Sequence, residues 1–211
     1  MLSIINMPVT SYAANCFLVY DPVSGEAALF DPSVSKDDLD AVLSGRKLTL
    51  KYLILTHGHY DHMITVNEIR ESYPDALTAI SEGDAVCFSD PVRSCAAFFS
   101  VPDFRVAPPE LQLRDGDAIA LGEEEIKVLA APGHTPGCLC FVFGSNMITG
   151  DTIFCGTVGR SDLPAGDPNV LFLSLTKLKS METDYTLYPG HGENTTLFYE
   201  KVHNPYLKLI K

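Results

Sequence analysis

Basic residues are scarce in this 211-residue chain. Fifteen Lys and Arg stand against twenty-seven Asp and Glu, giving a formal net charge of -12 and a pI near 4.8. A surface this acidic repels phosphate backbones and anionic lipid, which argues against nucleic acid and membranes as partners. No basic start leads into a continuous apolar run. The first basic residue is Lys36, and MLSIINMPVTSY is broken by Asn6 and Pro8, so no secretory leader is expected. No stretch approaches the length needed to span a bilayer. The six cysteines (Cys16, Cys87, Cys95, Cys138, Cys140 and Cys155) form no CxxC pair, and a reducing cytoplasm is the expected location. Linkers and low-complexity tracts are missing too. Apolar residues make up 46% and charged residues 20%. Such a chain can bury enough surface to offset the entropy of ordering, and one domain over residues 1–211 is expected.

What the chain does contain is short β-type runs punctuated by turns. NCFLVYD and EAALFD, split by PVSG, predict a hairpin. SVSKDDLDAVLSG predicts a helix with Ser35 as its N-cap, acidic residues in the first turn and Gly45 beyond its end. KYLILT is a buried strand, after which Met63, Val66 and Ile69 or Arg70 fit a helix starting at the following motif. SEGDAVCF and PVRSCAAFF read as short helices, and PDFRVAPPE as loop. In the second half, DAIAL and IKVLAA flank GEEE, while CLCFVF and MITG flank GSN. Cys138 and Cys140 there read as small hydrophobes. GDPNVLFLSLTKLKSM predicts a helix with Asp167 as N-cap, Pro168 at its first position and Leu171, Leu175 and Leu178 on one face. YTLY is a last strand and NTTLFYEKV a closing helix. Both halves run strands first and helices after, which suggests two related sheets packed face to face with helices outside.

The polar residues are distributed unevenly. LTHGHYDHM holds His57, His59, Asp61 and His62 within six positions, half of the chain's six histidines among them. In an extended segment alternate side chains share a side, so His57, His59 and Asp61 can point together, and a helix starting near Asp61 swings His62 back. Four nitrogen and oxygen ligands in so short a span suit a pair of cations. His134 follows IKVLAAPG, Asp151 follows NMITG, His191 follows YTLYPG and Asp31 follows EAALF. Ligands gathered at strand ends are how an α/β protein builds one site on a rigid frame. Taken singly, His134 or His191 reads as a cap or a hydrogen-bonded core residue. Once the motif holds a metal, PGHTPG and YPGHG become its natural partners.

THGHYDH, GHTPG, GDTIF and PGHG resemble, in order, the ligand motifs of the metallo-β-lactamase fold. GDTIFCGTVGRSDLPAGD and HNPYL are similar to the short hydroxyacylglutathione hydrolases, the glyoxalase II type without an extra helical domain. The resemblance implies a four-layer αββα sandwich of the α/β class with its site at one edge between the sheets. It further implies that His57, His59 and His134 bind one metal, that Asp61, His62 and His191 bind another, and that Asp151 bridges both. An aspartate in the bridging place disfavours the lactamases that use a cysteine ligand.

The expected chemistry is metal-dependent hydrolysis of a thioester, such as a hydroxyacyl-glutathione-like substrate, by a hydroxide bridging two divalent ions. Asp61 is the candidate catalytic residue, orienting the nucleophile while ligating. The donor set, without thiolate, accepts zinc first, with iron or manganese as alternatives. Two divalent ions leave the pocket locally cationic, so a small anionic thioester is the expected partner. Arg160, whose planar fork suits a carboxylate, is the candidate substrate-binding residue, weighed against a structural ion pair with Asp162 or Asp167. Tyr60 is weighed between the pocket mouth and packing, Asp31 is expected to orient a ligand histidine, His203 to cap or pack, and Cys155 to be buried. The alternative is a persulfide dioxygenase with one ferrous ion on His57, His134 and Asp151.

Overall fold

The structure, a computed structural model, describes residues 1–9 and 13–210. Strands β1 (Ser3–Met7), β2 (Cys16–Tyr20), β3 (Glu26–Phe30), β4 (Thr49–Ile54), β5 (Leu77–Ser81) and β6 (Leu111–Leu113) form one sheet in that order. β1 to β3 pair antiparallel, and β3 to β6 pair parallel. Parallel neighbours need a crossover. It is supplied by α1 (Lys36–Arg46) between β3 and β4, and by α2 (Val66–Ser72) between β4 and β5.

The second sheet uses β7 (Ala118–Leu121), β8 (Glu124–Ala130), β9 (Leu139–Phe143) and β10 (Asn146–Gly150) as a meander. A ribbon of β11 (Ile153–Phe154) and β12 (Thr157–Val158) follows, then α3 (Pro168–Lys179). β13 (Thr186–Pro189) joins parallel to β10, with β14 (Thr195–Thr196) outside it. α4 (Leu197–His203) and α5 (Pro205–Leu209) close the chain.

Three apolar clusters separate four layers. Phe17, Phe30 and Ile54 meet Ile126, Phe141 and Ile148 between the sheets. The Phe30 and Phe141 rings meet edge to face with centroids 5.1 Å apart, a favoured aromatic geometry. Leu39, Leu43, Val66 and Ile69 of α1 and α2 cover the outer face of the first sheet. Leu171, Leu175 and Leu178 of α3, with Leu197 and Leu207, cover that of the second. The αββα sandwich expected from the motifs is the observed architecture.

Most local expectations hold, and the departures have physical reasons. Ser35 caps α1 by accepting from the Asp38 N–H, and Asp167 caps α3 by accepting from the Asn169 and Val170 N–H groups. Gly45 does not lie beyond α1. The helix runs through it to Arg46, and Lys47 takes the left-handed cap with φ 57°. No α-helix starts at the histidine motif either. Tyr60–His62 makes one 3₁₀ turn, and the Thr65 N–H bonds to the Pro32 carbonyl of a neighbouring loop, so the ladder breaks before α2. SEGDAVCF and PVRSCAAFF contain only 3₁₀ turns, at Ala85–Phe88 and Ala96–Phe99. Cys155 is exposed rather than buried, whereas Cys138 and Cys140 are buried as expected, because the ribbon turn carries residue 155 away from the sheet.

No helix among the described residues is long and apolar enough to cross a membrane.

Candidate metal centre

The candidate ligands sit at the C-terminal ends of strands, where α/β sheets open a crevice. Asp31 follows β3, His57 follows β4, His134 follows β8, Asp151 follows β10 and His191 follows β13. The two sheets are tied together at this end, for the Leu139 N–H donates to the Thr56 carbonyl at 2.9 Å. Gly190 lets β13 approach. A Cβ there would lie 2.2 Å from Asp151 Oδ1 and 2.6 Å from His62 Cε1, so only glycine leaves the space between those two side chains open.

Seven side chains converge. His59 Nδ1 lies 3.0 Å from His57 Nε2 and 2.9 Å from His134 Nε2. His62 Nε2 is 3.2 Å from Asp151 Oδ1. His134 Nε2 is 3.5 Å from Asp151 Oδ2, and His191 Nε2 is 3.6 Å from that same oxygen. His191 Nε2 is also 3.2 Å from Asp61 Oδ2. Three overlapping triads result, each with ligand atoms mutually within 4.8 Å: His57–His59–His134, His57–His62–Asp151 and Asp61–His62–His191.

Outward contacts decide how the rings present themselves. The Arg160 carbonyl can only accept, so His134 Nδ1 donates to it at 2.6 Å and Nε2 turns a lone pair inward. Thr56 Oγ1 donates to Asp31 Oδ2 at 2.9 Å and faces His57 Nδ1 at 3.1 Å, which orients His57 in the same sense. Asp31 also accepts from the Thr56 N–H at 2.8 Å and lies 3.0 Å from His62 Nδ1. That last pair is close without being aligned as a hydrogen bond. Asp31, at φ 51°, thus reaches His57 through Thr56.

The arrangement fits divalent metal. Zinc–nitrogen bonds near 2.0–2.1 Å place tetrahedral ligand atoms about 3.3 Å apart, close to the spacings in the first triad. His59 Nε2, both His62 nitrogens and Asp151 Oδ1 are buried without a hydrogen-bond partner. Orphaned atoms of this kind are rare unless an ion or water satisfies them.

The electrostatics divide the cluster. Burial, then repulsion from His62 and His59, holds His57 well below the usual histidine range. Burial and the His134 ring push His59 down to about 3. Burial alone would lower His62, but Asp151, Asp31 and Asp61 together hold it well above the histidine range. Burial would likewise lower His191, yet Asp61 and Asp151 raise it. Burial would raise Asp151 and Asp61; the surrounding imidazoles win and lower both, His62 most of all.

One contributor escaped sequence reasoning. Asp84, in the loop after β5, is buried and accepts from the Gly58 N–H at 2.9 Å, the Gly137 N–H at 2.9 Å and Thr135 Oγ1 at 2.6 Å. It braces the HGHYDH loop to the GHTPG loop. Burial pushes its carboxyl upward, and the three donors pull it back only partly. SEGDAVCF carries no local sign of this, since the partners arrive from far along the chain.

Other candidates fall differently. Arg160 forms a two-pronged ion pair with Asp162, Nε to Oδ1 at 2.6 Å and an Nη to Oδ2 at 2.8 Å. The guanidinium expected to grip substrate is therefore already paired, as the rival reading of this residue had it. Its backbone carbonyl accepts from His134 Nδ1. The Tyr60 ring packs on Phe99 and Phe104 and does not line the cavity over the site. His203 stacks on Tyr199 with centroids 4.3 Å apart.

The family profile described as the metallo-beta-lactamase superfamily matches residues 9–191. The chain belongs to that superfamily. A hydroxyacylglutathione hydrolase, GloC, from Haemophilus influenzae is 33% identical over 205 residues, spanning 95% of this chain and 96% of the relative. Among solved structures, the BLEG-1 B3 metallo-beta-lactamase superposes with a TM-score of 0.89 at 26% identity, covering 97% of this chain and 99% of that one. TTHA1623, solved in a di-iron-bound form, gives 0.81 at 30% identity, covering 96% and 100%. Superfamily membership and the His/Asp cluster place this chain with the metal-binding hydrolases in the broad sense.

Proposed function

We propose that this metallo-beta-lactamase superfamily member hydrolyses thioesters with two divalent ions, His57, His59 and His134 holding one, Asp61, His62 and His191 the other, and Asp151 serving both. The observation that carries this reading is the meeting of two complete donor triads across one carboxylate. Zinc suits the set, with iron or manganese as alternatives, and the likeness to a di-iron relative keeps iron prominent. When bound, such ions supply Lewis acidity that polarises a carbonyl and makes water a nucleophile near neutral pH.

The chain's own groups then have defined tasks. His134 and His57 keep their inward nitrogens unprotonated by donating or orienting outward. Asp61, held by His191 at 3.2 Å, lines the cavity and orients the attacking water by accepting its hydrogen. Asp31 holds His57 in place through Thr56. A thiolate is a good leaving group that needs little help from a general acid, which suits a thioester better than an amide. The GloC likeness supports the same class of bond. A mononuclear iron centre for persulfide oxidation would use His57, His134 and Asp151 and leave the Asp61–His62–His191 triad without a task, so hydrolysis is the better reading. Metal content measured beside a screen of thioesters, lactones and persulfides tests it. Two metals per chain and thioester turnover are expected; one iron with persulfide-dependent oxygen uptake would overturn it.

A further inference from the structure

We infer that the scissile bond is presented on a substrate with an extended hydrocarbon acyl chain, which lies in an apolar groove running outward from the metal centre; this rests on the thioester reading above. A cavity of about 670 Å³ has His59, Asp61, His134, Asp151 and His191 on its floor and Phe98, Phe99, Phe154 and Leu163 among its walls. That size suits a small-molecule site. A second cavity of about 360 Å³ lies beside it, with Val158 and Arg160 lining both. The second runs between α3 and α5 past Leu171, Phe172, Leu175, Tyr206 and Leu209.

Two features select the occupant. Several of these wall residues are large, apolar and open to solvent, Phe98 at 67% and Leu209 at 72% of their full exposure. Hydrocarbon covering them is stabilising. Charge points the same way. Among the described residues Arg160 is the one Lys or Arg lining either cavity, and Asp162 already holds both prongs of its guanidinium. Among those residues a carrier rich in carboxylates, such as glutathione, finds no free cation along these walls. The polar thiol half faces the open mouth, and the acyl half follows the groove.

The test uses the metal-loaded protein and thioesters of N-acetylcysteamine, an uncharged thiol, with acyl groups from acetyl to decanoyl, beside S-lactoylglutathione. Each methylene fully buried raises kcat/KM by up to about fourfold, so the decanoyl ester is expected to be the best substrate and lactoylglutathione the poorest. Calorimetric titration with decanoate and acetate reads the groove without turnover. Decanoate is expected to bind more tightly, with a negative heat-capacity change, and Phe172→Glu to weaken decanoate at least tenfold and collapse the decanoyl-to-acetyl ratio. Turnover that ignores chain length, with decanoate binding no better than acetate, overturns the groove and leaves thioester hydrolysis standing. Tight decanoate binding with no thioester cleaved supports the groove and overturns the hydrolysis. Sedimentation showing a dimer that Phe172→Glu dissociates overturns the acyl assignment in favour of a second copy of the chain.

Discussion

The two triads differ in kind, although they share one cavity floor. His57, His59 and His134 form a set of imidazoles, all buried, in which burial and repulsion between rings keep His57 and His59 neutral. Asp61, His62 and His191 mix carboxylate with imidazole, and the His191 side chain is 41% exposed. There the carboxylates raise the histidines instead. A ring among rings loses its proton, while a ring among carboxylates keeps it, unless a metal displaces it. The second triad is the charged one, and it reaches solvent through His191.

The largest expected effect comes from breaking the element common to both. Asp151→Ala should strip metal from both subsites and take thioester turnover to near background; elemental analysis and a thioester assay check both outcomes. Next is the brace. Asp84→Ala leaves the Gly58 and Gly137 N–H groups buried without acceptors, each costing about 1–3 kcal/mol, which urea unfolding would read. Retention of full stability would mean that water replaces the carboxylate.

A pH series sharpens the contrast between the subsites in the metal-free protein. His57 and His59 lie below the unfolded histidine value of 6.5, so the unfolded chain takes up protons that the folded chain refuses, and stability falls as pH drops from 6.5 toward the folded value near 3 of His59. His62 and His191 lie above 6.5. Their contribution is complete below 6.5 and is lost as pH rises through their folded values. Chelated protein should therefore be most stable near pH 6.5. His59→Gln should flatten the acid limb and His191→Gln the alkaline one, as followed by thermal midpoints. A single sloping line in both variants would refute the division. The smallest effect is expected from Arg160→Ala, which removes an exposed ion pair and should leave the thermal midpoint where it was. A large rise in KM for anionic thioesters would return the arginine to carboxylate binding.

Much of this was legible before any coordinates. The αββα plan followed from strands-then-helices in both halves, α3 from Asp167, Pro168 and the Leu171–Leu175–Leu178 stripe, and the candidate ligands from their places after β-type runs. What escaped was non-local. β6 is three residues long at a sheet edge, too short for a periodic signal. The helix expected at the motif was undone by one hydrogen bond from Thr65 to Pro32.

The chain alone specified which side chains can coordinate and which elements carry them, because donor types, caps and alternation are properties of neighbouring residues. Folding in three dimensions brought those side chains into three overlapping triads, tied two loops together through Asp84, and paired Arg160 with Asp162. Those outcomes depend on burial and on partners brought together across the two sheets, and no stretch of sequence contains either.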